Sequence, residues 1–335
     1  MATLSQCVLS VWAAATMLAG CGGAQSPVGA PAQGSTIGVP SAKLQTRVIA
    51  THADRDASWM LPEAKNMDLL YVDAGDGTVV YVFSYPNGKL LGEIKERKSG
   101  MQQGLCSDAK GDVFVNAMNG NTGNTYEYEH GGKKPIADLV EPNVWVYGCS
   151  VDPTSGNLAV ASVNWLSGVS WVAVYKNAGG TPQIYVDSEI INYEFCAYDD
   201  KGNLFVDGTG HSDFDFAELP KGSSTFKNIT LNQSIEWGGQ VQWDGRHIVV
   251  GAADTAPAVA YQFAIKGRRG KEVGRTTLSG SVSVPQFWIQ DSFIIGPDAS
   301  GDDVGIWSYP GGGTPITTIG GIHDPFGATV SLAKR

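Results

Sequence analysis

Four oxygen-bearing side chains occupy matching places in repeated segments and could together hold a divalent cation. Asp73, Asn116 and Asp207 each follow an apolar segment, and Glu194 directly precedes another. Carboxylate and amide oxygens are the ligands that hard cations such as Ca²⁺ prefer, and a bound ion of this kind can polarise a carbonyl for hydrolysis. In the alternative interpretation, these side chains only bond to nearby turn amides and carry no chemistry.

Aromatic residues near the same positions suggest a second kind of chemistry. The segments "WVY" (Trp145 to Tyr147) and "YEF" (Tyr193 to Phe195) could stack on sugar rings or hold a peptide. In the alternative interpretation, the rings fill the space between neighbouring sheets. The aromatic set comprises Trp145, Tyr147, Trp165, Trp171, Tyr193, Phe195 and Trp237.

Two polar loops are further candidates for a Ca²⁺ or Zn²⁺ site. One contains His211, Asp213 and Asp215, and the other is "DASGDD", from Asp298 to Asp303. Both lack the closing Glu of a calcium-binding loop, so a solvated turn is the favoured interpretation. The sequence contains no Gly-x-Ser-x-Gly elbow and no Walker loop, the motifs of two large enzyme classes.

The three cysteines beyond the N-terminal region show no metal-binding spacing. Cys106, Cys149 and Cys196 form no Cys-x-x-Cys pair. Cys149 and Cys196 occupy equivalent positions in neighbouring repeats, which predicts a separation too large for a disulfide. Cys106 is offset by one residue and is expected to face the other way. We therefore expect all three to be small buried core residues.

The candidate residues recur because the chain repeats a phrase such as "GCSVDPTSGNLAV". Successive phrases lie 44, 47, 45, 46 and 41 residues apart, and a strand, a Gly-rich turn and another strand follow each of the first five. Four short strands in a unit of roughly 40 to 50 residues are typical of a propeller blade. We therefore predict an all-β, six-bladed β-propeller of four-stranded blades over residues 46–335. The phrases begin at Gly104, Gly148, Phe195, Gln240, Gln286 and Gly327.

The two ends of the repeat array are each incomplete. The first unit begins at Leu69 with no preceding phrase, whereas the phrase at Gly327 has no strands after it. We predict that the C-terminal strand completes the first blade and closes the ring, because closure removes exposed sheet edges.

The pattern resembles NHL-type and related six-bladed propellers, through "GNLAV", "GNLFV" and, more loosely, "GDVFV" and "GRHIV". It is also similar to bacterial propeller lipoproteins that carry the turns "YPNGK", "KNAGGTP" and "ELPKGSS". This second resemblance implies a secreted propeller and supplies no activity. Six-bladed lactonases hold a divalent metal with Glu, Asn and Asp in the channel, although their spacing signature is not found in this sequence.

The N-terminal region predicts export and lipid anchoring. Residues 1–20 contain an apolar segment that is too short to span a bilayer but suits a signal peptide. They end in "LAG" before Cys21, like a bacterial lipobox in which Cys21 receives the lipid. Residues 21–45 are rich in Gly, Ala, Pro and Ser and predict a flexible tether. The protein is thus expected on the extracytoplasmic side of the cell envelope.

Composition excludes one class of partner. The net charge is −10, with 23 Lys and Arg against 33 Asp and Glu, which disfavours a nucleic-acid surface. We predict a monomeric binding module that takes a small molecule, glycan, peptide or protein at its channel face and touches the membrane only through its lipid. The alternative is a lactonase-like hydrolase with Ca²⁺ or another divalent ion on Glu194 and Asp207. The predicted ligand-binding residues are Asp73, Asn116, Trp145, Tyr147, Tyr193, Glu194, Asp207 and Trp237.

Overall fold

The computed structural model describes residues 46–49, 57–75, 77, 79–95, 102–164, 166, 168–253 and 255–334. The signal segment, Cys21, the tether and Trp165 lie outside the described residues. Within them the chain is all β, with short 3-10 helices at Pro62–Asn66, Lys176–Ala178 and Ala299–Gly301 and no α-helix. No helix of this described part is long and apolar enough to cross a bilayer.

The strands are short and follow one another closely along the described chain. They are β1 (Thr46–Ile49), β2 (Trp59–Met60), β3 (Leu69–Asp73), β4 (Val79–Ser84), β5 (Leu90–Lys95), β6 (Gln102–Ser107), β7 (Val113–Asn119), β8 (Thr122–Tyr128), β9 (Ala137–Pro142), β10 (Trp145–Val151), β11 (Leu158–Val163), β12 (Val172–Tyr175), β13 (Gln183–Tyr185), β14 (Ile190–Tyr198), β15 (Leu204–Gly210), β16 (Asp215–Leu219), β17 (Lys227–Asn228), β18 (Thr230–Leu231), β19 (Gly238–Trp243), β20 (Ile248–Ala252), β21 (Ala258–Lys266), β22 (Arg269–Leu278), β23 (Trp288–Gln290), β24 (Phe293–Asp298), β25 (Asp303–Ser308), β26 (Gly312–Gly320) and β27 (Ala328–Ser331).

These strands form five hydrogen-bonded sheets in the described part of the chain. Sheet 1 has the order β27-β3-β4-β5-β2, and sheets 2, 3 and 4 are β6–β9, β10–β13 and β14–β17. Sheet 5 has ten strands in two antiparallel halves, half 5a (β19–β22) and half 5b (β23–β26), joined by one bridge between Leu278 and Gly313. Strands β18 and β1 add in parallel to the outer strands of these halves.

The C-terminal strand belongs to the first sheet. Strand β27 pairs antiparallel with β3, from Ala328 opposite Val72 to Ser331 opposite Leu69. Asp73, at the end of β3, accepts the backbone N–H groups of Phe326 and Gly327 at 3.0 and 2.6 Å. The two ends of the repeat array therefore share one sheet.

The core lies between consecutive units and not within any single sheet. Strand β3 is buried on both faces, with Leu69 and Tyr71 packed toward sheet 2 and Leu70 and Val72 packed toward half 5b. This arrangement follows from the two-residue alternation of a strand. The other core clusters lie between sheets 2 and 3, sheets 3 and 4, sheet 4 and half 5a, and halves 5a and 5b.

The repeated Asp of the phrase holds the turn between the first and second strand of its unit. The Asp152 carboxylate accepts the N–H of Thr154 at 2.8 Å, and Asp199 accepts those of Lys201 and Asn203 at 2.9 and 2.8 Å. The Gly that follows has a φ of 73° at Gly156, a conformation that favours glycine. The phrase is thus repeated because each unit needs the same turn.

All three cysteines are buried, as predicted, but the sequence analysis did not predict a disulfide among them. Cys106 and Cys149 form a disulfide between sheets 2 and 3, with a Cα–Cα distance of 5.6 Å. Because alternate residues of a strand face opposite neighbours, the one-residue offset of Cys106 brings both side chains to the same interface. Cys196, in register with Cys149, faces the interface between sheets 3 and 4 and is a free, buried thiol.

Candidate functional site

The first strands of sheets 2, 3 and 4 and of half 5a surround the centre of the molecule and share an irregularity. The pairing register shifts between Gln102 and Gly104, Val146 and Cys149, Tyr193 and Cys196, and Gly238 and Val241. Each shift is a β-bulge, which frees backbone N–H and C=O groups from the ladder. We call this end of the central strands the closed end, and the end at the Asp turns the open end.

Asp73 bonds with both carboxylate oxygens to backbone at the closed end. Its Oδ1 accepts the N–H of Phe326 and Gly327, and its Oδ2 accepts the N–H of Gly104 at the bulge of sheet 2, at 3.1 Å. Burial raises the pKa of this carboxyl to about 7, although the three N–H donors act to lower it. Asp73 is fully buried. It therefore joins sheets 1 and 2 and does not face solvent, in contrast to the predicted ligand-binding role.

Asn116 plays the same part between sheets 2 and 3. Its Nδ2 donates to the carbonyl of Tyr147 at 2.8 Å, and its Oδ1 accepts the hydroxyl of Thr125 at 2.8 Å. The side chain is fully buried. The prediction that Asn116 lines an exposed binding mouth is therefore corrected, because its amide satisfies groups that the protein itself buries.

Asp207 and Glu194 form a buried acidic pair at the closed end. Asp207 Oδ1 accepts the N–H of Phe195 at 2.8 Å, and Oδ2 has no hydrogen-bond partner among the described residues. Burial, followed by the charge of Glu194, raises the pKa of Asp207 well above its usual range. Like Asp73, Asp207 is fully buried.

The predicted oxygen-rich metal site does not assemble among the described side chains. Asp73 and Asn116 use their polar groups on hydrogen bonds within the protein. Among the described residues, no group of three or more His, Cys, Asp or Glu side chains could hold a metal ion. The raised pKa of Asp207 favours its protonated form over the ionised carboxylate that would bind a metal ion. Metal binding by Glu194 and Asp207 stays a prediction with little geometric support.

Three aromatic rings fill the centre of the closed end. Tyr147 packs edge-on against Phe195 and Phe326, with ring centroids 6.0 and 5.5 Å away, and Phe195 stacks on Phe326 at 6.4 Å. Burial, followed by the charge of Glu194, raises the pKa of Tyr147 to about 12. These rings belong to sheets 3 and 4 and to the loop before β27. They therefore pack against one another between sheets, which agrees with the interpretation of these aromatics as packing residues and not as ligand contacts.

A buried amide network lies beside these rings. Gln286 Oε1 accepts the N–H groups of Leu105 and Ala328, each at 3.0 Å, and its Nε2 donates to Gln240 Oε1 at 3.0 Å. One side chain thereby links both halves of sheet 5 with sheets 1 and 2. Gly327 passes close by, where an added Cβ would lie 2.5 Å from Gln286 Oε1.

The remaining predicted aromatic residues differ in exposure. Tyr193 is fully buried, stacks on Phe226 and accepts the N–H of Asp187, so its predicted ligand role is corrected to core packing. Trp145 is half-buried beside a cavity of 300 Å³, and Trp237 is 54% exposed. For these two tryptophans, ligand contact stays a prediction.

The two polar loops use their carboxylates within the protein. Asp215 accepts the hydroxyl of Ser212 at 2.6 Å, within the loop that contains His211 and Asp213. Asp298 is buried and accepts the N–H groups of Val282 and Ser283 at 2.8 and 2.9 Å. The first loop therefore matches the solvated-turn interpretation, whereas Asp298 joins the second loop to the segment before β23.

A cavity of about 590 Å³ lies at the open end, where the central strands surround it. Gln240 also lines it, and its bond to Gln286 separates the cavity from the closed end. Small-molecule sites commonly have volumes of about 300 to 1,000 Å³. Six strands contribute to the wall, namely β6, β10, β14, β19, β23 and β27, and we call them the six central strands. Their wall residues are Ser107, Val151, Ala197, Gln242, Trp288 and Val330.

Sequence reasoning missed this cavity and its residues. The prediction followed the ends of the second strands, where Asp and Asn stand, whereas the cavity lies at the other end of the central strands. Trp288 is a half-buried ring in the wall, and it packs against two core clusters, one between half 5b and sheet 1 and one between sheets 2 and 3. The signal available in the sequence was the large aromatic in "QFWIQD", at a place where the other phrases have smaller residues.

Comparisons with known proteins show the fold and nothing finer. No protein-family model matches the sequence, and no curated protein matches it. A chain in the crystal structure of a nidogen/laminin complex has a TM-score of 0.63 at 12% identity, covering 80% of this chain and 100% of that one. A Bacteroides caccae protein of unknown function has a TM-score of 0.58 at 12% identity, covering 79% of this chain and 99% of that one.

These similarities, together with the four-stranded sheets, define the class: the chain is a β-propeller. At 12% identity they assign no ligand, partner or activity to it.

Proposed function

We propose that this chain is a binding module that takes a small molecule or a short peptide segment in the cavity at the open end. The observation that carries the proposal is a cavity of about 590 Å³ walled by all six central strands. A site formed by strands is held more rigidly than a site formed by loops alone. The similar chain from the nidogen/laminin complex comes from a protein complex, which supports including a peptide segment among the ligands.

The proposed architecture is a ring of six blades, closed by β27 and of the NHL-like type. The pairing of β27 with β3 supports closure, and the core cluster between half 5b and sheet 1 supports a sixth interface. Treating halves 5a and 5b as two blades follows from their separate antiparallel runs, which meet at a single bridge.

The proposed location is the outer side of the cell membrane, with a lipid on Cys21. The disulfide between Cys106 and Cys149 supports an oxidising compartment. Incorporation of labelled palmitate in a bacterial host tests the anchor. We expect label in the wild-type protein and none in Cys21→Ala; equal labelling of the two would contradict the proposal.

Ligand-observed NMR with the full-length chain tests the binding function. A library of small molecules and short peptides is screened against wild type and against Val151→Trp, which places a large ring in the cavity wall. The matched control is Val186→Trp, at a residue that is 62% exposed. We expect hits that Val151→Trp abolishes and Val186→Trp retains, with circular dichroism confirming that both variants fold. Hits that persist in Val151→Trp would contradict the proposal, as would a screen without hits.

A further inference from the structure

Two polar side chains in the cavity wall, Ser107 and Gln242, already bond to the protein itself. Ser107 Oγ donates to the carbonyl of Val330 at 2.7 Å. Gln242 uses both ends of its amide on Ile289, accepting its N–H at 2.7 Å and donating to its carbonyl at 3.0 Å. A ligand inside the cavity would gain little hydrogen bonding from these groups, since their strongest partners are already present.

The apolar part of the cavity wall includes Trp288 and Val151. Trp288 is half-buried and packs toward the cluster that contains the Cys106–Cys149 disulfide, and Val151 belongs to the same contact set. On its other side Trp288 packs toward the cluster that contains Val330. An indole ring in this position offers a surface for an alkyl or aromatic group, whose transfer from water is favourable.

Charged groups are confined to the rim at the Asp turns. Asp108 and Asp152 lie there, and Lys110 Nζ is 4.0 Å from Asp108 with its side chain 75% exposed. Hydrogen bonds from the turn hold the pKa of Asp152 below its usual value, against the opposing effect of burial, so that it stays charged. Polarity therefore rises from the floor of the cavity to its mouth.

We infer that the ligand is amphipathic, with an alkyl or aromatic group inserted beside Trp288 and a polar head group at the turn rim. This inference rests on the proposed function, because it assigns a chemical class to the ligand of the same cavity. It separates the ligand from free sugars and from metal ions, which would gain little from Ser107 and Gln242 because these side chains already bond to the protein.

A matched pair of probes tests the inference with the full-length chain. Octyl β-glucoside, kept below its micelle concentration, and methyl β-glucoside share one head group and differ only in the alkyl chain. Titration calorimetry should show binding of the octyl compound at one site, at least about 100-fold tighter than the methyl compound, since each buried methylene adds to affinity. Saturation-transfer NMR should place the alkyl protons, and not the sugar protons, against the protein.

Two variants locate the binding. Trp288→Gln should weaken octyl β-glucoside binding at least about tenfold, whereas Val273→Gln, at a residue that is 49% exposed and outside the cavity wall, should leave it unchanged. If Trp288→Gln does not fold, the saturation-transfer contacts of the wild type still decide whether the alkyl chain or the sugar lies against the protein. Equal affinity for both glucosides, saturation of the sugar protons alone, binding insensitive to Trp288→Gln, or no binding would each overturn the inference. None of these outcomes removes the cavity function, which the Val151→Trp screen tests separately.

Discussion

The two ends of the central strands differ in what their polar residues do. At the closed end, Asp73, Asn116 and Asp207 bind backbone groups that the bulges free, and aromatic rings fill the centre. At the open end, Asp152 and its counterparts hold turns, and the centre is a cavity. The closed end joins neighbouring sheets, whereas the open end leaves room for another molecule.

The contrast teaches that conspicuous polar residues in a repeat need not mark its site. Each bulge creates unpaired backbone groups in a buried place, and a buried unpaired group costs about 1–3 kcal/mol. An Asp or Asn at the end of the adjoining strand removes that cost. The residues that shape the cavity are less conspicuous, because an apolar wall needs only side chains of suitable size.

Removing the C-terminal strand should have the largest effect on the closed end. Deleting residues 327–335 removes β27, which is buried along its length, together with the Gly327 N–H that donates to Asp73. We expect a loss of at least about 5 kcal/mol, comparable to the whole stability of many domains, measured by thermal unfolding. Deleting only residues 334–335 is the control and should change little. An unchanged melting temperature after the longer deletion would refute closure by β27.

Breaking the disulfide should rank second. Cys106→Ser opens a loop of 43 residues, for which loop-closure entropy predicts a loss of about 4 kcal/mol. Urea unfolding should show this loss in the variant and in the reduced wild type alike. Cys196→Ser changes the free thiol of the neighbouring sheet and should respond to reductant as the wild type does. A wild type indifferent to reductant would disprove the role of this bridge.

Removing one closed-end amide should cost less. Asn116→Ala leaves the buried carbonyl of Tyr147 without its donor at 2.8 Å, which should destabilise the protein by about 1–3 kcal/mol. Asn121 is exposed and lines the same small cavity as Trp145. The stability of Asn121→Ala should stay within about 0.5 kcal/mol of wild type. Equal effects of the two substitutions in urea unfolding would show that Asn116 does not join the sheets.

The smallest expected effect is a pH dependence of opposite sign at the two ends. Asp207 has a pKa raised above the ordinary 3.8, so its favourable contribution is complete below that value and is lost as pH rises through the folded pKa. Asp152 has a lowered pKa, so its contribution is present above 3.8 and is lost as pH falls.

Melting temperatures of matched variants between pH 3 and pH 8 measure this contrast. Asp207→Asn should reduce the loss of stability between pH 5 and pH 8 by about 2–4 °C. Asp152→Asn should instead destabilise the protein at neutral pH and converge with wild type near pH 3. Parallel pH profiles for the two variants would contradict the assignment of opposite shifts.

The sequence predicted the strands and turns because these depend on neighbouring residues. The Asp-Gly phrase gives the turn at Asp152. The continuous apolar run "LLYV" gives a strand that begins at Leu69 and is buried on both faces. The predicted four-stranded units and the propeller class follow from that local information repeated along the chain.

The remaining errors concern distances between sheets, which no single repeat encodes. The disulfide depends on the separation of Cys106 and Cys149 across an interface. The burial of Asp73 and Asp207 depends on bulges in neighbouring strands, at Gly104 and at Phe195. The position of the cavity depends on how side chains from six strands meet, so no local pattern could have placed it at the open end.

The parallel pairing of β1 with β26 has a mechanical consequence. Thr46 to Ile49 pair in register with Thr317 to Gly320. A pull directed along the axis of β1 would therefore load its hydrogen bonds together in shear and would not open them one at a time. If Cys21 is anchored as proposed, tension along the chain would reach half 5b through β1, and these hydrogen bonds would be the first to resist it.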